Sequence, residues 1–363
     1  MEYTLDDILI KADKEKYTDI HITVGTYPRG RKLNQLVEID IFEKLSKEDT
    51  YCLIEQCIEE RNLDILNENG EVDFSFSKEG LGRYRVNAFK QRGTYAMVIR
   101  VQPFTTPDFE SLGMPKVIKE FTSYNSGLVL VTGVTGSGKS TTLASLIDII
   151  NRNYSKHIVT IEDPIEYLHR HKKSIVNQRE IGLDSKSFAS ALRASLREDP
   201  DVILVGEMRD LETATIAITA AETGHLVLST MHTMSAAQTI DRIIDIFPYE
   251  QQNQIRSQLA TVLKGVVTQQ LVPKIDNSGV VAVCEILKNN SAIGNLIREN
   301  KIYQIRNIIQ TNSVGGMVTM NQSLMNLYKQ GTIDKETMID KSNDKQELQN
   351  MLNRSSRWDN DKI

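Results

Sequence analysis

The stretch Gly133-Val134-Thr135-Gly136-Ser137-Gly138-Lys139-Ser140 decides how the rest of the chain is read. It fits the spacing G-x-x-x-x-G-K-[ST] at every fixed position. The apolar run Leu128 to Thr132 precedes it. A helical pattern follows, in which Leu143, Leu146, Ile147 and Ile150 recur at i, i+3, i+4 and i+7. Strand, loop and helix in that order form a phosphate cradle. The glycines let the backbone wrap until its N–H groups converge on a β-phosphate, and the helix start adds positive potential. The expected ligand is ATP with Mg²⁺, held from Gly133 to Thr141. Lys139 is expected to bridge β- and γ-phosphate oxygens, and the Ser140 hydroxyl to ligate the metal.

Working outward, further short apolar runs (His157 to Ile161, Val202 to Val205, Leu226 to Ser229) alternate with helical patterns. That alternation predicts an α/β fold, a parallel sheet covered on both faces. Three of these runs end in groups with chemistry. Val202-Ile203-Leu204-Val205-Gly206-Glu207 closes on a carboxylate able to hold Mg²⁺ directly or through its water. Thr160-Ile161-Glu162-Asp163-Pro164-Ile165-Glu166 closes on several, and Glu162 is the candidate for orienting an attacking water. Spacing alone assigns neither Glu162 nor Glu207 to the water or to the metal. His225 and His232 bracket the last run; His232 lies at the ligand-facing end, where it can sense a γ-phosphate. His169 and His171, beside Arg170, Lys172 and Lys173, read as a solvated basic face.

Before the cradle, residues 1–102 read as a smaller α+β unit. Helices are expected at Leu5 to Ala12 and Leu45 to Ile58, and strands at Asp19 to Val24, Val72 to Phe76, Gly82 to Ala88 and Ala96 to Val101. Pro103, Pro107 and Pro115 break both kinds of element, so residues 103–116 read as a linker to a second domain over 117–363. Beyond about Phe247 the pattern turns mainly helical, and 341–363 read as a polar, fraying tail. A length of 363 residues suits about two domains.

Composition removes several function classes. No apolar stretch approaches the roughly 18 residues needed to span a bilayer. The start carries Glu2, Asp6 and Asp7 rather than a basic then apolar signal, so the expected location is the cytoplasm. A net charge of -5 offers no general attraction to phosphate backbones, and no nucleic-acid partner is expected. Cys52, Cys57 and Cys284 form no C-x-x-C pair and read as buried thiols.

Taken together, these elements resemble the secretion ATPase superfamily of type II secretion and type IV pili. Glu162-Asp163-Pro164-Ile165-Glu166 is similar to its aspartate box, Leu204 to Asp210 to its Walker B region, and His225 to His232 to its histidine box. More narrowly, the chain resembles the pilus retraction branch over nearly its whole length. Thr18-Asp19-Ile20-His21, Gly82 to Phe89, and Ala220 to His225 fit that branch. Ala292-Ile293-Gly294-Asn295-Leu296-Ile297-Arg298-Glu299 resembles its signature A-I-R-N-L-I-R-E, with Gly294 in place of an arginine. Tyr27 to Leu33 fits only loosely.

The resemblance implies a PAS-like N-terminal domain, a RecA-like ATPase domain with a helical C-terminal region, and a homohexameric ring. It implies that Arg83, Arg85 and Arg100 approach the phosphates held by a neighbouring subunit, which suits an always-charged planar fork. It also implies a motor that hydrolyses ATP to retract pili. Such a motor works at the cytoplasmic face of the inner membrane, on a platform protein like PilC and through it on pilin subunits. An assembly motor of the same superfamily, a DNA translocase and a non-hydrolysing nucleotide sensor share some of these motifs. The first usually carries a four-cysteine zinc element that is absent from this sequence.

Overall fold

The computed structural model describes residues 4–32, 35–39, 43–102, 106–276 and 278–360, with the backbone alone at 314 and 354–360. The chain divides into two compact units, Met1–Thr105 with Glu166–Leu168, and Thr106–Ile165 with His169–Ile363.

The first unit runs α1 (Leu5–Glu15), β1 (Asp19–Ile22), β2 (Arg29–Lys32), β3 (Gln35–Glu38), α2 (Lys47–Glu55), α3 (Glu60–Asn69), β4 (Glu71–Lys78), β5 (Gly82–Gln91) and β6 (Thr94–Gln102). Capping boxes at Thr4/Asp7 and Ser46/Asp49 start α1 and α2 by satisfying amides that have no helical partner. The six strands pair in the order β3-β2-β1-β6-β5-β4. Strand period makes one face apolar. On β5, Tyr84, Val86 and Ala88 are buried with Leu5, Leu9, Leu53 and Leu66 of the helices, while Arg83 and Arg85 alternate onto the other face. Register sets Arg85 directly opposite Arg100 of β6, and Arg100 opposite Asp19 of β1.

The second unit begins with β7 (Gly127–Thr132), α4 (Lys139–Asn153), β8 (His157–Glu162), β9 (Ile175–Glu180), α5 (Phe188–Ser195), β10 (Val202–Val205), α6 (Leu211–Glu222) and β11 (Leu226–Met231). It continues with α7 (Ala236–Asp245), α8 (Tyr249–Val262), β12 (Leu263–Pro273), β13 (Val280–Lys288), α9 (Ser291–Arg298), α10 (Ile305–Thr311), α11 (Met320–Lys329), α12 (Lys335–Asp340) and α13 (Lys345–Asn360). Its seven-stranded sheet has the order β13-β12-β7-β11-β10-β8-β9. All neighbours are parallel except β12 and β13. Both faces are covered, as the unbroken apolar runs require. Leu128 and Leu130 of β7 join one core with residues of α5 to α9, whereas Val129 and Val131 join another with residues of α4.

Several expectations change here. The region after Phe247 is helical at α8 and from Ser291 onward, but 263–288 form a long antiparallel pair that completes the sheet. Polar residues inside these strands (Gln269, Gln270, Glu285) hide the strand pattern. Phe109 and Met114, from the stretch read as a linker, are buried in a core with Val129 and Leu143. Within the polar tail, Lys345–Asn360 form α13, whose Leu348 is buried with Leu324 and Met338. Of the thiols, Cys284 is buried and Cys57 half-buried, and burial pushes both up to about 12. Cys52 is exposed on α2, contrary to the buried reading.

Candidate nucleotide-binding site

Parallel strands in register bring their C-terminal ends to one edge of the sheet, where ligands of open α/β sheets bind. Thr132 lies opposite Met231, Ser229 opposite Val205, and Val205 opposite Ile161. The residues that follow, Gly133, His232, Glu207 and Glu162, therefore emerge along the same edge. The sequence motifs, up to 99 positions apart between Gly133 and His232, converge there.

The loop from Gly133 to Gly138 carries φ of 142°, 78° and 85° at Gly133, Gly136 and Gly138, values that side chains other than glycine rarely adopt. Two of these glycines are also closely approached. A Cβ at Gly133 would lie 2.2 Å from the Gln269 carbonyl oxygen, and one at Gly138 would lie 2.8 Å from Gln269 Nε2. Lys139 opens α4 and donates from Nζ to Gly133 O at 2.9 Å and Val134 O at 3.1 Å, so the ammonium is held over its own loop. Ser137 is buried, and its Oγ has no hydrogen-bond partner among the described residues. Ser140 and Thr141 are half-buried at the start of α4. A built loop with an ammonium over it and an orphaned hydroxyl within it fits a phosphate group.

Glu207 is gripped from two sides. Arg209 Nε donates to Oε1 at 2.6 Å, and His232 Nε2 lies 3.4 Å from Oε2. Burial works to raise its pKa, but the Arg209 hydrogen bond and the charges of His232 and Arg209 outweigh it, leaving the carboxyl below its ordinary range. The turn that carries it is fixed to β11, since Thr230 Oγ1 donates to Gly206 O and Met208 N to Thr230 O. Glu162, at the end of β8, accepts at Oε1 from Thr160 Oγ1 at 2.7 Å and from Gln178 Nε2 at 3.2 Å. Asp163 and Glu166 are exposed.

His225 sits at the other edge of the sheet, its Nδ1 paired with Ala220 O at 3.0 Å, a contact at the end of α6. His169 is not on a solvated face: burial pushes it down to about 4. His171 is exposed. Arg83, Arg85 and Arg100 belong to the other unit. There, Arg83 Nη1 donates to Ser77 Oγ at 3.1 Å, and Arg100 Nε to Asp19 Oδ1 at 3.0 Å. Sequence reasoning missed Arg209 and Gln269. The available signal was a charged residue two positions after Glu207, and an amide inside the run Val266 to Val272. Among the described residues, no cluster of three or more histidine, cysteine or acidic side chains is placed to hold a metal ion, and no helix is long and apolar enough to cross a membrane.

Comparison with known proteins identifies the family. The model of the type II/IV secretion system protein family matches residues 58–357. The type IV pilus retraction ATPase PilT of Pseudomonas aeruginosa is 45% identical over 338 residues, 93% of this chain and 98% of the relative. A twitching motility protein of Neisseria gonorrhoeae is 49% identical over 81% of this chain and 78% of the relative. A crystal structure of the pilus retraction motor PilT with bound ADP superposes with a TM-score of 0.90 at 51% identity, covering 96% of this chain and all of that one (100%). The chain belongs to the type II/IV secretion system protein family, and within it to the retraction ATPases of type IV pili.

Proposed function

We propose that the chain is a motor that binds and hydrolyses ATP to power retraction of a type IV pilus. The observation that carries this reading is the wrapped loop Gly133–Gly138 with Lys139 over it, at the sheet edge that also receives Glu207, Glu162 and His232. The loop amides and Lys139, with Thr141 behind them, bind the phosphates. Lys139 exchanges its two loop carbonyls for phosphate oxygens when the nucleotide enters. The Ser140 hydroxyl and Glu207, directly or through water, would hold a Mg²⁺ accompanying the nucleotide, which would neutralise phosphate charge there, in keeping with its usual one or two protein groups plus phosphates. Glu207 suits that role because Arg209 and His232 keep it ionised. Glu162 orients the attacking water, and His232 reports the state of the γ-phosphate to Glu207.

Arg83, Arg85 and Arg100 act in trans in a homohexamer, placing guanidinium groups on a neighbour's γ-phosphate. A trans arginine contributes on the order of 10³ to 10⁵ in rate in NTPases generally. Closing a ring around a triphosphate clamped from two subunits is the mechanical step. The motor works from the cytoplasm, peripheral to the inner membrane. It turns a platform protein of the PilC kind, and acts through it on pilin subunits; nucleic acid is not a partner. Lys139→Ala tests the catalytic core: phosphate release by the purified chain is expected to fall to background, and an unchanged rate refutes the assignment. In cells, loss of the chain is expected to leave pili that cannot shorten. Cells with no pili at all would point to assembly instead.

A further inference from the structure

We infer that Gln269 is a positioning residue for the nucleotide, its side chain and main chain acting as the form on which the phosphate loop is wrapped. The inference rests on reading that loop as the nucleotide site, which Lys139→Ala tests separately.

A buried primary amide must find partners for both its N–H groups and its oxygen, or carry the cost of desolvation. Gln269 is 2% exposed on β12, the strand beside β7. Its Nε2 donates to Ser137 O at 2.5 Å, and its Oε1 accepts from Thr142 Oγ1 at 2.9 Å. Ser137 is inside the loop and Thr142 lies in the first turn of α4, so one side chain ties the end of the loop to the helix it opens. A trans peptide sets the carbonyl of one residue antiparallel to the N–H of the next. Anchoring Ser137 O on Gln269 therefore turns the Gly138 N–H away from β12, and that amide is one the motif offers to a phosphate.

The steric observations point the same way. Both motif glycines are pressed against this residue, Gly133 by its carbonyl and Gly138 by its amide nitrogen, while nothing lies within 4 Å of a Cβ at Gly136. Next to it, the Thr268 and Thr132 hydroxyls pair at 2.8 Å and pin β12 to β7 where the loop departs. An apolar residue at 269 would leave the Ser137 carbonyl and the Thr142 hydroxyl without these partners and remove the amide that stands against Gly138, while the main-chain carbonyl against Gly133 stays.

The test is titration calorimetry of ADP into the full chain, with steady-state ATP hydrolysis and a melting curve alongside. Gln269→Met keeps the length of the side chain and removes the amide. ADP binding is expected to weaken about tenfold and KM for ATP to rise in proportion, with kcat within about threefold, because the strand-edge carboxylates are untouched. Gln269→Glu keeps an acceptor for Thr142 and sets a carboxylate against Ser137 O, so its loss is expected to exceed that of Gln269→Met. Thr142→Val removes the second bond, together with the contact of the same hydroxyl with Met114 Sδ at 3.3 Å on the side away from the loop. It is expected to weaken ADP about threefold alone and to add nothing to Gln269→Met, the signature of a shared path. ADP affinity within twofold of native for Gln269→Met overturns the inference, as does a change confined to the melting temperature. If Gln269→Met does not fold, unchanged affinity in Thr142→Val overturns it and weakened affinity supports it. A native chain that binds no ADP at all sinks the nucleotide reading itself.

Discussion

Gly294→Ala is expected to stabilise the second unit by about 1 kcal/mol and to leave nucleotide turnover unchanged. Gly294 sits inside α9, buried, in ordinary helical conformation with its N–H donating to Asn290 O. Glycine in a helix interior costs about 0.8–1.0 kcal/mol relative to alanine, because its backbone loses more freedom on folding. The cost of the added methyl depends on the space around it. A Cβ there meets Ala260 O of α8 at 3.4 Å and Arg298 Nη1 at 3.6 Å, which is ordinary contact rather than overlap. Its neighbours are polar, so the usual gain of about 0.8 kcal/mol per buried methylene is largely lost, and the propensity term decides the sign. For a unit of this size, 1 kcal/mol corresponds to roughly 2–4 °C. Differential scanning calorimetry is the assay, because a chain of two units need not melt in one step. A fall of 2 °C or more in the transition of the second unit refutes the packing argument and means that α9 and α8 require the closer approach of a bare backbone. Gly294→Arg restores the residue of the resembled signature but places a cation four residues before Arg298, so its gain is expected to be smaller by about 0.2–0.5 kcal/mol.

Glu207→Gln removes the charge that Arg209 and His232 grip; ATP hydrolysis is expected to fall on the order of 10² or more while ADP stays bound, and an unchanged kcat refutes its role. Glu285 is buried on β13, its Oε1 accepting from Ala236 N at 2.8 Å, and burial raises its carboxyl above the ordinary value of 4.5. The folded chain therefore ionises less readily than the unfolded one, and stability drops as pH rises above about 4.5 toward the raised value. Glu285→Gln is expected to gain in relative stability between pH 4 and pH 8 in urea titrations, and a flat difference refutes the sign. Arg100→Ala is expected to lower kcat on the order of 10³. Mixing its subunits with Lys139→Ala subunits should recover part of the activity if the arginine acts on a neighbour, and no recovery means that it acts within its own chain.

The cradle, both sheet-edge carboxylates and His232 were legible because each follows an unbroken apolar run, and such runs mean buried parallel strands whose ends share an edge. The hairpin β12–β13 was not. Its apolar pattern is interrupted by Gln269, Gln270 and Glu285, and each interruption answers a need outside the strand. Gln269 serves the phosphate loop, Gln270 donates to Lys341 O, and Glu285 accepts the first amide of α7. A polar residue in a strand reads as a break when its partner is more than 70 positions away in the chain, as Lys341 and Ser137 are. The two histidines of the last run show the same limit. Both fit a motif, but register alone sends His232 to the ligand edge and His225 to the opposite one. His169 misled because flanking charges suggest solvent, whereas its ring is largely enclosed.

The N-terminal sheet carries an argument that depends on no motif. Arg85 and Arg100 stand directly opposite on neighbouring strands, on the face that α1, α2 and α3 leave open. Like charges in that position destabilise a sheet, and any pair of neutral residues would avoid the cost. Asp19 offsets part of it by taking Arg100 Nε at 3.0 Å, yet Arg100 remains 65% exposed while Asp19 is 13% exposed. The carboxylate therefore orients the guanidinium from behind and leaves its terminal nitrogens toward solvent. A surface pair that existed for stability alone would set opposite charges across the strands. In the proposed ring, two cations across one register, one of them braced by a half-buried acid, would face an anion with several oxygens. That anion is the triphosphate held by the next subunit, and its binding would remove the repulsion that the isolated sheet bears.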